Sequence, residues 1–144
     1  MNTKITKALI FLTIFSVLSF SLKRKSKNSK LVGIWIEETS GNPQVSNVKV
    51  FESSGNYYNL SFNGSTGRVT LKGRYRVISD KLYIEKVDEL QFNNKYDLLN
   101  REFTNSYELS ENKKRLALRG TVISKNGLDT LRWSAVYKKV EVPR

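Results

Sequence analysis

From Arg68 to Val77 the chain alternates without a break. Val69, Leu71, Gly73, Tyr75 and Val77 hold the odd positions, and Arg68, Thr70, Lys72, Arg74 and Arg76 the even ones. Ten residues of period two predict a strand with one buried face and one wet face. Shorter stretches of the same kind recur between turn signals. They predict strands over Leu31–Glu38, Val45–Phe51, Tyr57–Phe62, Arg101–Leu109, Arg115–Val122 and Thr130–Val140, with another starting at Leu82. Ser53-Ser54-Gly55, Asn63-Gly64 and Asn126-Gly127 mark turns between them. No long segment has helical periodicity. Gln91–Asn100 lacks clear alternation and reads as a loop, a lid or one helical turn.

Parity assigns the inward side chains. Tyr58, Leu60 and Phe62 are expected inside, with Tyr75, then Phe103 and Tyr107, and Trp133 in company with Leu131, Ala135 and Tyr137. The turn after Val77 follows from the same rule. A two-residue turn at Ser79-Asp80 pairs Val77 with Leu82 and Tyr75 with Ile84, and sets Arg74 opposite Glu85 on the wet face. A three-residue turn would put Tyr75 against Glu85 and mix the faces, so the shorter turn is expected. Eight antiparallel strands in sequence predict an all-β fold, an up-and-down barrel that leaves no open edge; a two-sheet sandwich is the rival. At this strand number the interior holds side chains or one small ligand.

The first thirty residues have a different texture. Lys4 and Lys7 precede an uncharged apolar run, Ala8–Leu22, and Ser19-Phe20-Ser21 ends it with small residues at the two positions a signal peptidase reads. As a helix the run spans about 22 Å, short of a ~30 Å hydrocarbon core, so a stable membrane span is not expected. Residues 1–21 read as a secretory signal and the chain as exported, periplasmic or extracellular. Residues 22–30 read as a basic linker and 31–144 as the barrel domain. Lys23-Arg24-Lys25 directly after the apolar run favours the alternative of an uncleaved anchor.

Charge adds less than its total suggests. The formal net charge is +12, but seven of the 25 Lys and Arg lie in residues 1–30 and all 13 acids lie beyond them. The barrel segment itself carries about +5. Cysteine and histidine are absent. That excludes thiolate nucleophiles, disulfides, imidazole metal sites and the Ser-His-Asp triad. The neighbouring acids Glu37-Glu38 and Asp88-Glu89 point to opposite strand faces and cannot act as one acid–base couple. No glycine-rich phosphate loop precedes a helix, and no cofactor or metal is implied. The chain is therefore expected to bind rather than to catalyse.

Several motifs in order resemble the lipocalin-like family of small secreted bacterial domains of unassigned function. They are Gly33-Ile34-Trp35 on the first strand, Val50-Phe51 leading through Ser54-Gly55-Asn56 to Tyr57-Tyr58, Gly73-Arg74-Tyr75 running into Ile78–Glu85, and the closing Tyr137-Lys138-Lys139-Val140. The resemblance implies a barrel with Trp35 plugging one end and Lys138 or Lys139 lying over the indole. A small apolar or amphipathic ligand is the activity expected of such a barrel; inward parity and aromatic bulk make Tyr58, Leu60, Phe62, Tyr75, Phe103, Tyr107 and Trp133 its candidate lining, unless those side chains simply fill the core. A second expectation comes from charge: Arg68, Lys72, Arg74 and Arg76 share a wet face that an anionic surface or polyanion would find attractive. That face lacks the interleaved aromatics of a base-stacking surface, so specific nucleic-acid binding is not expected. The simpler reading is a solubilising face partly paired to acids.

Overall fold

The alternation of short apolar segments and turns resolves into eight antiparallel strands in a computed structural model, which describes residues 27–38, 45–91, 96 and 98–141. The strands are β1 (Gly33–Glu37), β2 (Val45–Phe51), β3 (Asn56–Asn63), β4 (Thr66–Val77), β5 (Leu82–Leu90), β6 (Glu102–Leu109), β7 (Arg115–Ile123) and β8 (Thr130–Lys139). Each pairs with its neighbours in sequence, and β8 returns to β1 through Trp35↔Lys139, so the sheet closes into an up-and-down barrel. The sandwich is thereby set aside. The signal segment, residues 1–21, lies outside the described residues, as do 22–26 of the basic stretch. Among the described residues no helix is long and apolar enough to cross a membrane.

One end of the barrel is shut. A 3-10 turn, Lys27–Lys30, precedes β1. Its Asn28 side chain accepts a hydrogen bond from the Val77 backbone N–H at 2.9 Å, and Lys30 pairs with Asp80 at 2.6 Å. The last residues of the stretch expected as a linker are therefore docked on the barrel. Trp35 is fully buried above this turn and donates its Nε1–H to the Leu31 carbonyl at 2.8 Å. The Lys139 ammonium stands 5.3 Å from the indole, which settles the choice between Lys138 and Lys139. Gly33 is the condition for this contact. Its φ is +150°, and a Cβ there would lie 2.9 Å from Lys139 Cε. The Tyr75 and Tyr107 hydroxyls tie the same rim by donating to the carbonyls of Glu52 at 2.8 Å and Ser79 at 2.9 Å.

The strand registers correct three expectations. Val77 pairs with Tyr83 and Tyr75 with Glu85, so three residues, Ser79, Asp80 and Lys81, join β4 to β5. Leu82 faces outward and Tyr83 inward. Glu85 is tolerated inside because a buried cation meets it there. On β3, Phe51 pairs with Tyr57 and Lys49 with Asn59, so Tyr57, Asn59 and Ser61 face inward and Tyr58, Leu60 and Phe62 outward. Phe62 covers Gly67 on the outer wall, where no side chain opposes it. On β4, the register shifts between Asn59 and Leu60, which leaves Thr70 as the extra residue of a bulge. Period two breaks there, and Arg68 pairs with the inward Ser61 rather than sharing the face of Lys72, Arg74 and Arg76.

Of Gln91–Asn100, residues 92–95 and 97 lie outside the described residues. The rest folds back on the far rim: Leu99 pairs with Val87, Tyr96 bridges to Ser124, and Leu98 packs against the core.

Candidate functional site

On β2, β3, β7 and β8 the inward side chains are packed at the shut end and lose burial toward the other, whereas Leu71 on β4 and Val87 on β5 stay buried toward the far rim. On β2, Phe51 and Lys49 are buried and Asn47 is exposed. On β3, Tyr57 is buried while Asn59 and Ser61 are half-buried. On β7, Leu116 and Leu118 are buried, followed by half-buried Gly120 and Val122. On β8, Tyr137, Ala135 and Trp133 are half-buried and Leu131 is exposed. The shut half is filled by rings, with Phe51 4.7 Å from Tyr75 and 5.9 Å from Tyr83, and Tyr83 6.0 Å from Tyr107. The barrel is thus a cup: a filled base, and an upper half walled by Phe103, Trp133, Tyr137 and Val122.

The floor of the cup is polar. Lys49 and Glu85 are both buried, with Nζ 2.6 Å from Oε1. The ammonium also lies 4.8 Å from the Tyr57 ring and 5.4 Å from that of Phe51. Burial, and then the Glu85 carboxylate, hold the Tyr57 and Tyr83 phenols far above their ordinary range. Tyr137 is raised in the same way by burial, then by Glu37 and Glu85. All three phenols stay protonated at neutral pH. Five oxygens of this interior have no hydrogen bond of good geometry among the described residues: Tyr57 Oη, Tyr83 Oη, Glu85 Oε1, Asn59 Oδ1 and Asn105 Oδ1. The two phenols approach Glu85, and Lys49 contacts it ionically, without meeting hydrogen-bond geometry. The Lys49 ammonium and the two phenols thus converge on the Glu85 carboxylate, and that is how the interior accommodates it.

The wall of the cup has a window. β6 and β7 pair only from Ser106↔Arg119 to Leu109↔Leu116. Beyond that, Glu102–Asn105 pair with β5 alone and Gly120–Ile123 with β8 alone. The bridge of Tyr96 to Ser124 lies at the far end of this gap. A groove of about 520 Å³ runs over it, lined by Leu82, Thr104, Asn105, Arg119, Arg132 and Trp133 among others. Gly120 lets the Asn105 amide and the Trp133 indole close over the backbone here, since a Cβ would overlap both. A larger groove, about 830 Å³, lies at the shut end among Lys30, Asp80, Lys81, Ser110 and Lys113. None of the unpartnered buried atoms lines it.

Of the seven side chains expected to line a ligand site, only Phe103 and Trp133 stand in the open half of the cup. Tyr75 and Tyr107 face inward but serve the shut rim. Tyr58, Leu60 and Phe62 lie on the outer wall with Ile34, Ile36, Val48 and Val50. The basic face is largely spent on acids. Lys72 pairs with Glu89 at 2.9 Å, Arg74 with Asp88 at 2.9 Å, and Arg76 lies 3.8 Å from Glu102. Asp88 is the extra residue of a β5 bulge, so Asp88 and Glu89 share the outer face rather than opposite faces as expected. The Arg74 hydrogen bonds hold the Asp88 carboxyl below its usual range. Arg74 does not meet Glu85, which points the other way. The residues missed from sequence are Lys49, Tyr57, Asn59, Tyr83, Glu85 and Asn105 as a polar floor. The signal was present: Lys49 shares parity with Phe51, and Glu85 with Tyr83 and Val87.

A family model described as a domain of unknown function (DUF4488) matches residues 23–144, and the chain belongs to that family. No curated protein matches the chain.

Proposed function

We propose that this barrel is an exported, non-enzymatic carrier or receptor for one small amphipathic molecule, held in the open half of the cup. The observation that carries the reading is the gradient of burial along the inward face. A domain with a merely filled core would be dense from end to end, whereas here Phe103 and Trp133, on the β6–β8 side, are only partly buried above a polar floor. Ligand sites are concave and mostly apolar, with a few fixed polar groups, and this half of the barrel has that make-up. Export is supported by the leader Ala8–Leu22 with Ser19 and Ser21.

The test uses the indole in the wall. Emission from Trp133 is expected to change saturably as a ten-carbon amphiphile is added below its critical micelle concentration. The response is expected to persist in about 0.5 M salt, since apolar burial is not screened. It should vanish in Trp133→Phe and survive replacement of Lys72, Arg74 and Arg76 by glutamine. No saturable response from wild type, with heparin-like polyanions bound in low salt instead, would overturn the reading in favour of the outer basic face.

A further inference from the structure

On the outer wall the cations are matched by acids, as Lys72, Arg74, Arg76 and Arg115 are. The groove at the shut end differs. Lys30, Lys81, Lys113, Arg119 and Lys139 all line it, and only two carboxylates, Asp80 and Glu108, stand among them, an excess of three positive charges. Lys30 holds Asp80 at 2.6 Å. Among the described residues no carboxylate comes within ion-pair distance of Lys81, Lys113, Arg119 or Lys139. Unmatched charge of one sign in a concavity focuses the field at its mouth and draws in counter-ions.

The charges are also held in place. Lys139 ends β8, is half-buried, and keeps its ammonium 5.3 Å from the Trp35 indole. Lys81 follows Asp80 in the β4–β5 turn, which the Lys30 ion pair ties to the 3-10 turn. Lys113 sits at φ +56° in the β6–β7 turn, where the Asn112 side chain accepts from the Ser110 hydroxyl and the Lys114 N–H. Tyr107, Leu109 and Ala117 give the groove apolar surface between these cations. Its volume of about 830 Å³ exceeds what one phosphate fills.

We propose that the shut-end groove binds a compact ligand carrying two or more oxyanion groups, phosphate or sulfate, on a small scaffold. Lys139 meets one group beside the indole, and Lys81 and Lys113 hold the others at the rim. Four of the five cations are lysines, whose ammonium acts as a point charge on a tetrahedral oxyanion, without the planar fork that matches a carboxylate. A single monoanion leaves the groove positive, and a ligand with several groups neutralises it. The site lies at the opposite end from the cup and does not depend on it.

Calorimetric titration of the intact chain in roughly 20 mM salt, with tripolyphosphate and separately with sucrose octasulfate, tests this. One molecule is expected to bind per chain, and the tighter of the two probes identifies the group as phosphate or sulfate. Affinity should fall about tenfold or more in roughly 0.2 M salt, because exposed charges are screened. Lys81→Gln/Lys113→Gln, both at exposed turn positions, should weaken binding about tenfold or more. Lys72→Gln/Arg74→Gln removes as many cations from the outer wall and should stay within about threefold of wild type. Trp133→Phe leaves Trp35 as the one indole of the two in the chain. Its emission should change saturably with the same probe, and Lys139→Gln should abolish that change. Equal losses in the two double variants would mean attraction by net charge alone and would overturn the inference. So would a larger loss from the outer-wall pair, a Trp35 emission that ignores bound ligand, or no saturable heat from either probe.

Discussion

Lys49 and Glu85 are the two charges that the barrel takes out of water, and they hold each other there. Removing one partner strands the other. Lys49→Met is expected to cost about 3–5 kcal/mol in denaturant titration, and the double variant Lys49→Met/Glu85→Leu to recover most of that. Equal losses in the single and double variants would mean the pair is not coupled. Trp35 works differently, by volume and by closing the end. Trp35→Ala is expected to cost about 3–5 kcal/mol, from lost transfer energy plus a cavity; a loss below about 1 kcal/mol would place the indole outside the core. Trp35 was legible in the sequence through the resemblance that Gly33-Ile34-Trp35 carries. The ion pair was not. Lys49 and Glu85 lie 36 positions apart in the chain, and each alone reads as surface charge until a register puts them face to face.

At the level of strands, the sequence carried the number and order of elements and lost their parity on β3, on β5 and at two bulges. The losses on β3 and β5 have one cause: the rule that apolar faces stay together assumes an apolar interior. On β3 that rule prefers Tyr58, Leu60 and Phe62 over Tyr57, Asn59 and Ser61. The polar set faces inward here because it meets the floor and the mouth of the cup. On β5 the rule rejected a three-residue turn for burying Glu85, which is where the buried Lys49 waits. The Thr70 bulge has no sequence mark, since Val69–Val77 alternates through it unbroken. The β6–β7 window was equally hidden, because paired and unpaired strands share one alternation. Gly120 gives it a test. Gly120→Ala is expected to cost about 1–3 kcal/mol through overpacking against Asn105 and Trp133, and to shift Trp133 emission. A neutral effect on both would show that the indole does not stand against the window.

Taken whole, the molecule stores several tyrosines as neutral groups. Burial first, and carboxylates second, raise Tyr57, Tyr83 and Tyr137 well above the ordinary phenol range, and push Tyr75 up to about 12. In the unfolded chain these phenols ionise near pH ~10. Their folded values are raised, so their contribution is full below that pH and is lost as pH rises through the folded values. Stability is expected to fall above pH ~10 by about 1.4 kcal/mol per pH unit for each phenol still protonated in the fold. Phenolate absorbance from Tyr57, Tyr83 and Tyr137 should appear together with unfolding. Gradual ionisation in the intact barrel would contradict their burial.

The most direct test of the cup as a binding site is calorimetric titration of the intact chain with decanol at several temperatures. The account predicts one molecule bound per chain, a negative heat-capacity change from apolar burial, and an affinity unmoved by about 0.5 M salt. A Phe103→Asp/Trp133→Ser variant that remains folded should lose the heat. Absence of saturable heat in wild type, or binding that survives in that variant, would contradict it.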